Sequence, residues 1–459
     1  MASKPVAEFA ARTAIGPFGS RMKSDLYTDS GVPVIRGTNL TGGKVLSGDW
    51  VYVSDKTADD LSNCCVYPGD LVFPHRGAIG EVGIVPDQFP RYVMSSSMMT
   101  LSCDRSKARP DYVYYFFKSA AGRHELLKNA SQVGTPGIGQ PLSTLRAIEV
   151  PLPPPSSQFV IAKTLGDLDS KIDLNRRINQ TLEAMAQAIF KSWFVDFAPV
   201  KAKIYAMAEG RNPLRAAMSA ICGKSDPELD GLSPEQYDLL AATAAMFPDE
   251  MKESELGSIP KEWTLQSAET LAEVGIGKTP PRKEPQWFTE GEGDWRWVSI
   301  RDMGASGVFQ QRSSEFLTAD AVSRFNVRVV PDRTVLLSFK LTIGRVAISD
   351  GQMVTNEAIA HFKLPSNATI SSEYLYLYLK VFDYSTLGST SSIADAVNSK
   401  TIRELPIVVA SGDVIDRFTK SVAPLFEEMR NRQNEIASLG ATRDALLPKL
   451  LSGEIEVPL

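Results

Sequence analysis

Sulfur and imidazole are scarce in this chain of 459 residues, which has 4 cysteines and 3 histidines. Cys64, Cys65, Cys103 and Cys222 form no CxxC pair, and His75, His124 and His361 are scattered. Neither a structural zinc site nor a disulfide framework is expected, and a reducing cytoplasm is the implied compartment. No apolar run approaches the roughly 18 residues of a membrane helix. Met1 to Gly16 lacks the apolar core of a signal peptide, so nothing argues for export. No excess of positive charge exists either: Lys+Arg total 49 against Asp+Glu 54. A stand-alone nucleic-acid binder is usually basic, so such a role would have to rest on local basic faces or on a partner. There is no GxxxxGK[ST] phosphate loop, and Gly275-Ile276-Gly277-Lys278 is too incomplete to count, which excludes ATP hydrolysis here. No histidine has an obvious nucleophile partner and no paired carboxylates suggest acid/base work, so the chain does not read as an enzyme.

What is present is a repeat. Leu165-Leu168-Ile172-Asn175-Asn179-Leu182-Ala186-Ile189-Trp193 advances by alternating threes and fours. Val422-Leu425-Met429-Arg432-Ile436-Leu439-Arg443-Leu446-Leu450 does the same, in register, about 257 residues later. This spacing suits a coiled-coil seam better than the wider stripe of a globular helix. After Pro151-Leu152-Pro153-Pro154-Pro155, Ser156 or Ser157 can cap a helix running to about Phe197. Its roughly 40 residues would span about 60 Å. The second long helix is expected from about Gly412 to Leu451, with Pro448 kinking or fraying its end.

Each long helix follows a segment of short strands and turns. In the first half Val32 to Ile35, Trp50 to Val53 and Gly69 to Phe73 read as strands, and one helix is expected over Pro110 to Leu127. In the second half Trp295 to Ile300 and Thr334 to Phe339 read as strands. The halves echo each other: Ala78 to Ile84 matches Thr342 to Ile348, and Tyr112-Val113-Tyr114-Tyr115 falls beside Tyr374-Leu375-Tyr376-Leu377. Apolar positions repeat while polar ones differ, as expected of one fold presenting two surfaces. Between the halves, Ala198 to about Leu256 is a helical extension. There Ser233-Pro234-Glu235-Gln236 combines a serine cap, a proline at the first position and a reciprocal glutamine.

Four segments carry a resemblance. Pro151 to Phe197 (PLPPPSSQFVIAKTLGDLDSKIDLNRRINQTLEAMAQAIFKSWFVDF), the C-terminal LLPKLLSGEIEV from Leu446, GSIPKEW from Gly257, and the pair RGAIGEVGIV and KLTIGRVAIS together resemble the specificity subunit of type I restriction-modification systems. The resemblance covers essentially the whole chain. It implies an α+β molecule: two mixed α/β target-recognition domains of similar fold, joined by two long helices in an antiparallel coiled coil, with pseudo-twofold symmetry. The expected parts are a first recognition domain over 1–150, the central helix 151–197, the helical extension 198–256, a second recognition domain over 257–409 and the C-terminal helix 410–459. The family pattern implies double-stranded DNA as ligand, two methyltransferase (modification) subunits as partners, restriction endonuclease subunits when present, and no membrane. S-adenosylmethionine and ATP are expected only in the partner subunits; no [DN]PP[YF] tetrapeptide of adenine methyltransferases occurs here. A coiled-coil adaptor with no DNA role is the alternative, favoured slightly by the acidic composition. One departure is the missing Trp-containing opening before Phe9, present in the second half as Trp263, so the first edge of that domain is expected to be irregular.

Candidate residues follow. Phosphates call for Lys, Arg or backbone N–H groups, and base edges for Arg, Asn or Gln. Arg36, Asn39, Lys44, His75, Arg76 and Arg91 are the DNA-contact candidates of the first domain, and Arg301, Arg312, Lys340 and Arg345 those of the second; any one of them taken alone reads as solvated surface before it reads as a base contact. Asn175, Asn179, Arg432 and Arg443 place polar groups in an apolar seam, either to fix its register or at its outer edge. Phe190, Trp193, Phe194 and Phe197, with Leu447 and Leu450, fit a docking surface for a partner and a buried core equally well. The glycine- and serine-rich stretches Gly134 to Gln140 and Gly388 to Ser392 occupy corresponding places.

Overall fold

A computed structural model describes every residue except 1, 19–20, 132–134, 290, 292, 388–396 and 456–459. Gly134 and the stretch from Gly388 to Ser392 lie outside the described residues. The chain divides into two compact units, Met1–Leu174 with Glu435–Leu459, and Asn175–Asn434. Both units have the same build.

In the first unit, Ser3–Pro5 pairs antiparallel with Glu149–Pro151. A four-stranded sheet follows in the order Ala10–Ile15, Met98–Cys103, Leu71–Pro74, Gly83–Ile84. A second sheet is ordered Tyr27–Thr28, Val51–Val53, Val32–Ile35, Tyr92–Met94, Cys65–Val66. All its pairings are antiparallel except that of Val32–Ile35 with Tyr92–Met94.

The second unit repeats this order. Thr264–Ser267 pairs with Pro406–Val409. Glu273–Ile276, Ile359–Lys363, Val335–Ser338 and Val346–Ser349 form the matching sheet, extended by Phe309–Gln310. Phe288–Thr289, Glu315–Leu317, Trp295–Val298 and Val354–Thr355 form the other, again with one parallel pair, Trp295–Val298 with Val354–Thr355. The two β segments thus share four strands in the same order and direction in each sheet, and differ at the edges: Cys65–Val66 is added in the first unit and Phe309–Gln310, parallel to Val346–Ser349, in the second.

The expected first-edge irregularity lies one strand further in. Ser3–Pro5 keeps regular register, and a bulge falls between Ser102 and Cys103 opposite Ala10–Ile15. The single helix expected over Pro110 to Leu127 is two, Pro110–Lys118 and Ala120–Leu127. Ser119 sits between them at φ −70° and ψ 159°, capping the second through Gly122 N–H. A serine side chain that captures an amide here outcompetes helix continuation. The helical extension forms as Ala198–Ala208, Pro213–Cys222, Asp226–Leu229 and Pro234–Ala245, the last with the full capping box of Ser233 and Gln236.

The long helices are Pro155–Phe194, 40 residues, and Gly412–Ser452, 41 residues. Pro448 does not end the second, which stays helical to Ser452; its ring is exposed and costs one backbone bond near the terminus. In the first unit Leu165 and Ile172 are buried, and Leu447, Leu450 and Leu451 join the core of Tyr112, Tyr115 and Phe117. In the second, Ala186, Phe190, Trp193, Val422 and Met429 join Trp263, Tyr374 and Tyr376. A tyrosine on the aromatic helix ties each unit together: Tyr112 donates to the Pro151 carbonyl at 2.7 Å, and its counterpart Tyr374 to that of Val408 at 2.6 Å.

Two predictions come from these cores. Phe190 is fully buried with its ring 5.2 Å from that of Tyr374; Phe190→Ala should cost about 3–5 kcal/mol and lower the urea midpoint of the second unit accordingly. His361 is buried, its Nε2 2.5 Å from the Thr355 hydroxyl, and burial, reinforced by Arg328, pulls its pKa down from 6.5 to about 3. Between those pH values the unfolded chain binds a proton that the folded state refuses, so stability is present near neutrality and falls as pH drops from about 6.5 toward 3. Unfolding midpoints at about pH 7 and about pH 4.5 should differ less in His361→Asn than in the parent.

Candidate nucleic-acid interface

One turn in each β segment carries an exposed basic residue at corresponding places: Arg76 in the first and Lys340 in the second. In the first unit, Leu71–Pro74 is entirely buried and delivers the chain into a turn over residues 75–81. Gly77 (φ 82°) and Gly80 (φ 88°) take left-handed conformations that favour glycine. The turn is braced from outside by Gly77 N–H donating to Pro136 and Ile138 N–H donating to His75. Arg76 is exposed there, with no ion pair among the described residues.

The second unit makes the same turn over residues 338–345, after Val335–Ser338. The Ser338 hydroxyl donates to the Thr342 carbonyl and accepts from Arg345 N–H, cinching its base. Gly344 matches Gly80, also at φ 88°. At the place of Gly77 stands Leu341, at φ 61° and 91% exposed. Thr342 N–H donates to the Lys340 carbonyl at 2.7 Å, closing a three-residue turn centred on Leu341. That positive-φ form is rare for a residue with a Cβ and costs about 1–2 kcal/mol. Lys340 is exposed beside it, its ammonium 5.5 Å from the Phe339 ring. The strand expected from sequence ends at Phe339 and the matched run starts at Thr342, so Leu341 falls between them; the signal was the glycine at the same place in the first copy.

The other candidates divide sharply. Asn39 is buried and spends its amide inside its own loop: Oδ1 accepts from Arg36 N–H, and Nδ2 donates to the Ser47 and Asp49 carbonyls. Arg36 caps that short turn and donates to Asp49. His75 is buried with Nε2 at 3.1 Å from the Ser96 carbonyl, and burial holds its pKa below the usual value. Arg91 is clasped by Asp55 at 2.9 Å and Asp59 at 2.6 Å. Lys44 lies over the Tyr115 ring, its pKa lowered by burial and drawn back up by Asp111 and Asp169. Arg345 donates to the Ile300 carbonyl at 2.6 Å. These six all make internal contacts: Asn39 and His75 are buried, and the four cations hold internal partners while keeping further N–H donors. Arg301 is exposed in the first turn of Ile300–Ala305, and Arg312 is exposed while its carbonyl accepts from Gln310. Arg76, Arg301 and Lys340 remain as exposed cations with no ion pair among the described residues.

The seam residues separate too. Arg432 Nη1 donates to Asn175 Oδ1 at 2.9 Å, and Asn175 is fully buried. Asn179 donates to the Met429 carbonyl at 3.2 Å, leaving Oδ1 buried without a partner among the described residues. With 175 facing 432 and 179 facing 429, the helices run antiparallel in the second unit. Arg443 lies at the edge in the first unit, donating at 2.7 Å to Asp169, whose other oxygen accepts from Tyr115.

The docking candidates are core. Phe190, Trp193, Phe194 and Phe197 are each at most 8% exposed and pack on Trp263, Tyr374 and Phe418. Leu447 and Leu450 are buried in the first unit. The aromatic cluster closes a domain onto its helix, which favours the core reading of these residues over the docking one.

Among the described residues no group of three or more His, Cys, Asp or Glu could hold a metal ion, and no helix is long and apolar enough to cross a membrane. What the fold defines is a duplicated scaffold carrying two unlike polar turns. The model of the type I restriction modification DNA specificity domain matches the chain twice, over residues 16–184 and 260–411, and the chain belongs to that family. It is 30% identical over 437 residues, 91% of this chain and 94% of the other, to the type I restriction enzyme HindI specificity subunit of Haemophilus influenzae. It is 26% identical over 438 residues, 91% of this chain and 86% of the other, to the MjaIX specificity subunit of Methanocaldococcus jannaschii. The crystal structure of a type I restriction-modification S subunit from M. genitalium shares the fold at a TM-score of 0.50 and 14% identity, covering 98% of this chain and 95% of that one.

If Arg76 and Lys340 meet phosphates, Arg76→Ala and Lys340→Ala should each weaken binding evenly across DNA sequences. Each should also reduce the slope of log affinity against log salt by about 1, measured by anisotropy titration of the assembled complex. Asn39→Ala should instead lower stability by about 1–3 kcal/mol through its stranded partners, leaving the salt slope unchanged.

Proposed function

We propose that each β segment of this DNA-specificity chain reads one half of a split DNA site, and that the paired long helices set the distance between the halves. The observation that carries this is the combination of conserved strand order with unlike turns at the same place: glycine beside Arg76 in one copy, leucine beside Lys340 in the other. Two readers held at a fixed separation suit half-sites spaced by about one duplex turn, roughly 34–36 Å. The chain itself is non-catalytic in this reading. Base flipping and methyl transfer belong to two methyltransferase subunits that bind S-adenosylmethionine, and ATP-driven cleavage to restriction subunits when they are present. It works in the cytoplasm, where its DNA is.

Mapping adenine methylation in host DNA with and without this chain, the methyltransferase being expressed in both, tests the reading. A split motif that disappears on deletion supports it; an unchanged methylome overturns it.

The seam gives a sharper expectation. Replacing Asn175 and Arg432 together by leucine removes a polar pair that disfavours alternative registers. The double variant should be as stable as the parent or more so, and should methylate sites with more than one spacer length, read from the same sequencing. A single unchanged spacer would show that other contacts set the register.

A further inference from the structure

Leu341 has no role within its own domain. It is 91% exposed, so it contributes nothing to the core, and it holds a left-handed φ of 61° that a glycine would adopt freely. The equivalent turn of the first unit does have glycine there, Gly77 at φ 82°. A large apolar side chain kept in strained backbone at a loop tip, with no internal contact among the described residues to offset it, points outward to a ligand.

The surroundings specify the ligand's chemistry. Lys340 is exposed on one side of the tip. On the other side, Arg345 donates to the Ile300 carbonyl, which fastens the exit of the turn to the helix that bears the exposed Arg301. Gly344 allows the Tyr384 ring to back the turn closely: an added Cβ would stand 3.2 Å from it. The tip is therefore an apolar point on a braced base, with the exposed Lys340 next to it in the chain and free of ion pairs among the described residues. A cation beside an apolar tip fits a polyanion whose backbone brackets an apolar feature. In duplex DNA that feature is the 5-methyl group of thymine at the major-groove base edge.

We propose that Leu341 is a specificity-determining residue of the second recognition segment, making an apolar contact with a thymine methyl in the half-site that this segment reads. The inference rests on the DNA-reading role above and adds the residue and the base.

The test uses the full chain assembled with its methyltransferase subunits. Methylated sites are sequenced for the parent, Leu341→Gly and Leu341→Met, alongside melting midpoints and complex assembly by size exclusion. Leu341→Gly relieves the backbone, so its midpoint should equal or exceed the parent's and assembly should be intact. Its motif should relax at one thymine position in one half, with the spacer and the other half unchanged, and affinity for the parent site should fall roughly tenfold. Leu341→Met should restore most of the preference. Replacing that thymine by uracil in a synthetic site should weaken the parent complex and leave Leu341→Gly indifferent. An unchanged motif in Leu341→Gly, a uniform loss across sequences, or a loss of assembly would each overturn the proposal while leaving the DNA-reading role standing. Absence of any split motif in the parent would overturn both.

Discussion

Across the helix seam of the second unit, buried Asn175 meets Arg432. The two residues are 257 positions apart, the offset of the heptad repeat itself, so each occupies the same step of its own series. A seam of leucine and isoleucine alone tolerates sliding by a heptad, because every apolar step resembles the next. An asparagine whose oxygen is buried and satisfied by one arginine does not. Moving the helices one step strands that oxygen among apolar side chains, at a cost of about 1–3 kcal/mol. Asn179 already shows the sign of that cost in small, since only its Nδ2 finds a partner, on Met429. The polar steps cost stability, and in the proposed reading they hold position.

Register alone would mean little if the β segments swivelled on their helices. Each is fixed by the same device, a phenol reaching a carboxylate on the first long helix. In the first unit Tyr115 donates to Asp169, which Arg443 also holds. In the second, Tyr376 donates to Glu183, with Lys380 alongside at 3.3 Å. Burial, and then the neighbouring carboxylate, push both phenols above their usual range, so they remain donors at any physiological pH. Hydrogen bonds to charged groups contribute about 1.5–3 kcal/mol each, enough to orient a segment whose main cohesion is the aromatic packing beneath. Further ties act on the second unit alone: Arg430 pairs with Asp350, and Gln433 bonds both N–H and C=O of Phe309.

Sequence was legible where chemistry is periodic. The 3-4 spacing located both long helices to within about three residues at each end, and the matched apolar runs revealed the duplicated strands, because burial on one face writes itself as a period. The capping box at Ser233 was equally plain, since its three residues satisfy one another locally. Single polar residues were not legible. Asn39 and Arg301 look alike as candidates in sequence, yet one is consumed by three hydrogen bonds across ten residues of loop and the other stands free. The aromatic run ending the first long helix was ambiguous for a different reason: core and interface draw on the same residue types, and only its partners Trp263 and Phe418, distant in sequence, decide for the core.

The charge of the chain sets how such a reader can work. With 49 basic against 54 acidic residues, and Arg91, Arg345 and Arg430 spent on internal bonds, little general attraction to a polyanion is left. Phosphate neutralisation supplies most non-specific affinity, and it scales with the number of free cations. On that principle a reader with few free cations depends more on contacts that discriminate. In the proposed reading, carrying two half-site readers on one chain adds effective concentration to each. Within each unit a tyrosine clamp holds the β segment on its own helix, Tyr115 on Asp169 in the first and Tyr376 on Glu183 in the second, so the surface that discriminates keeps its orientation to that helix.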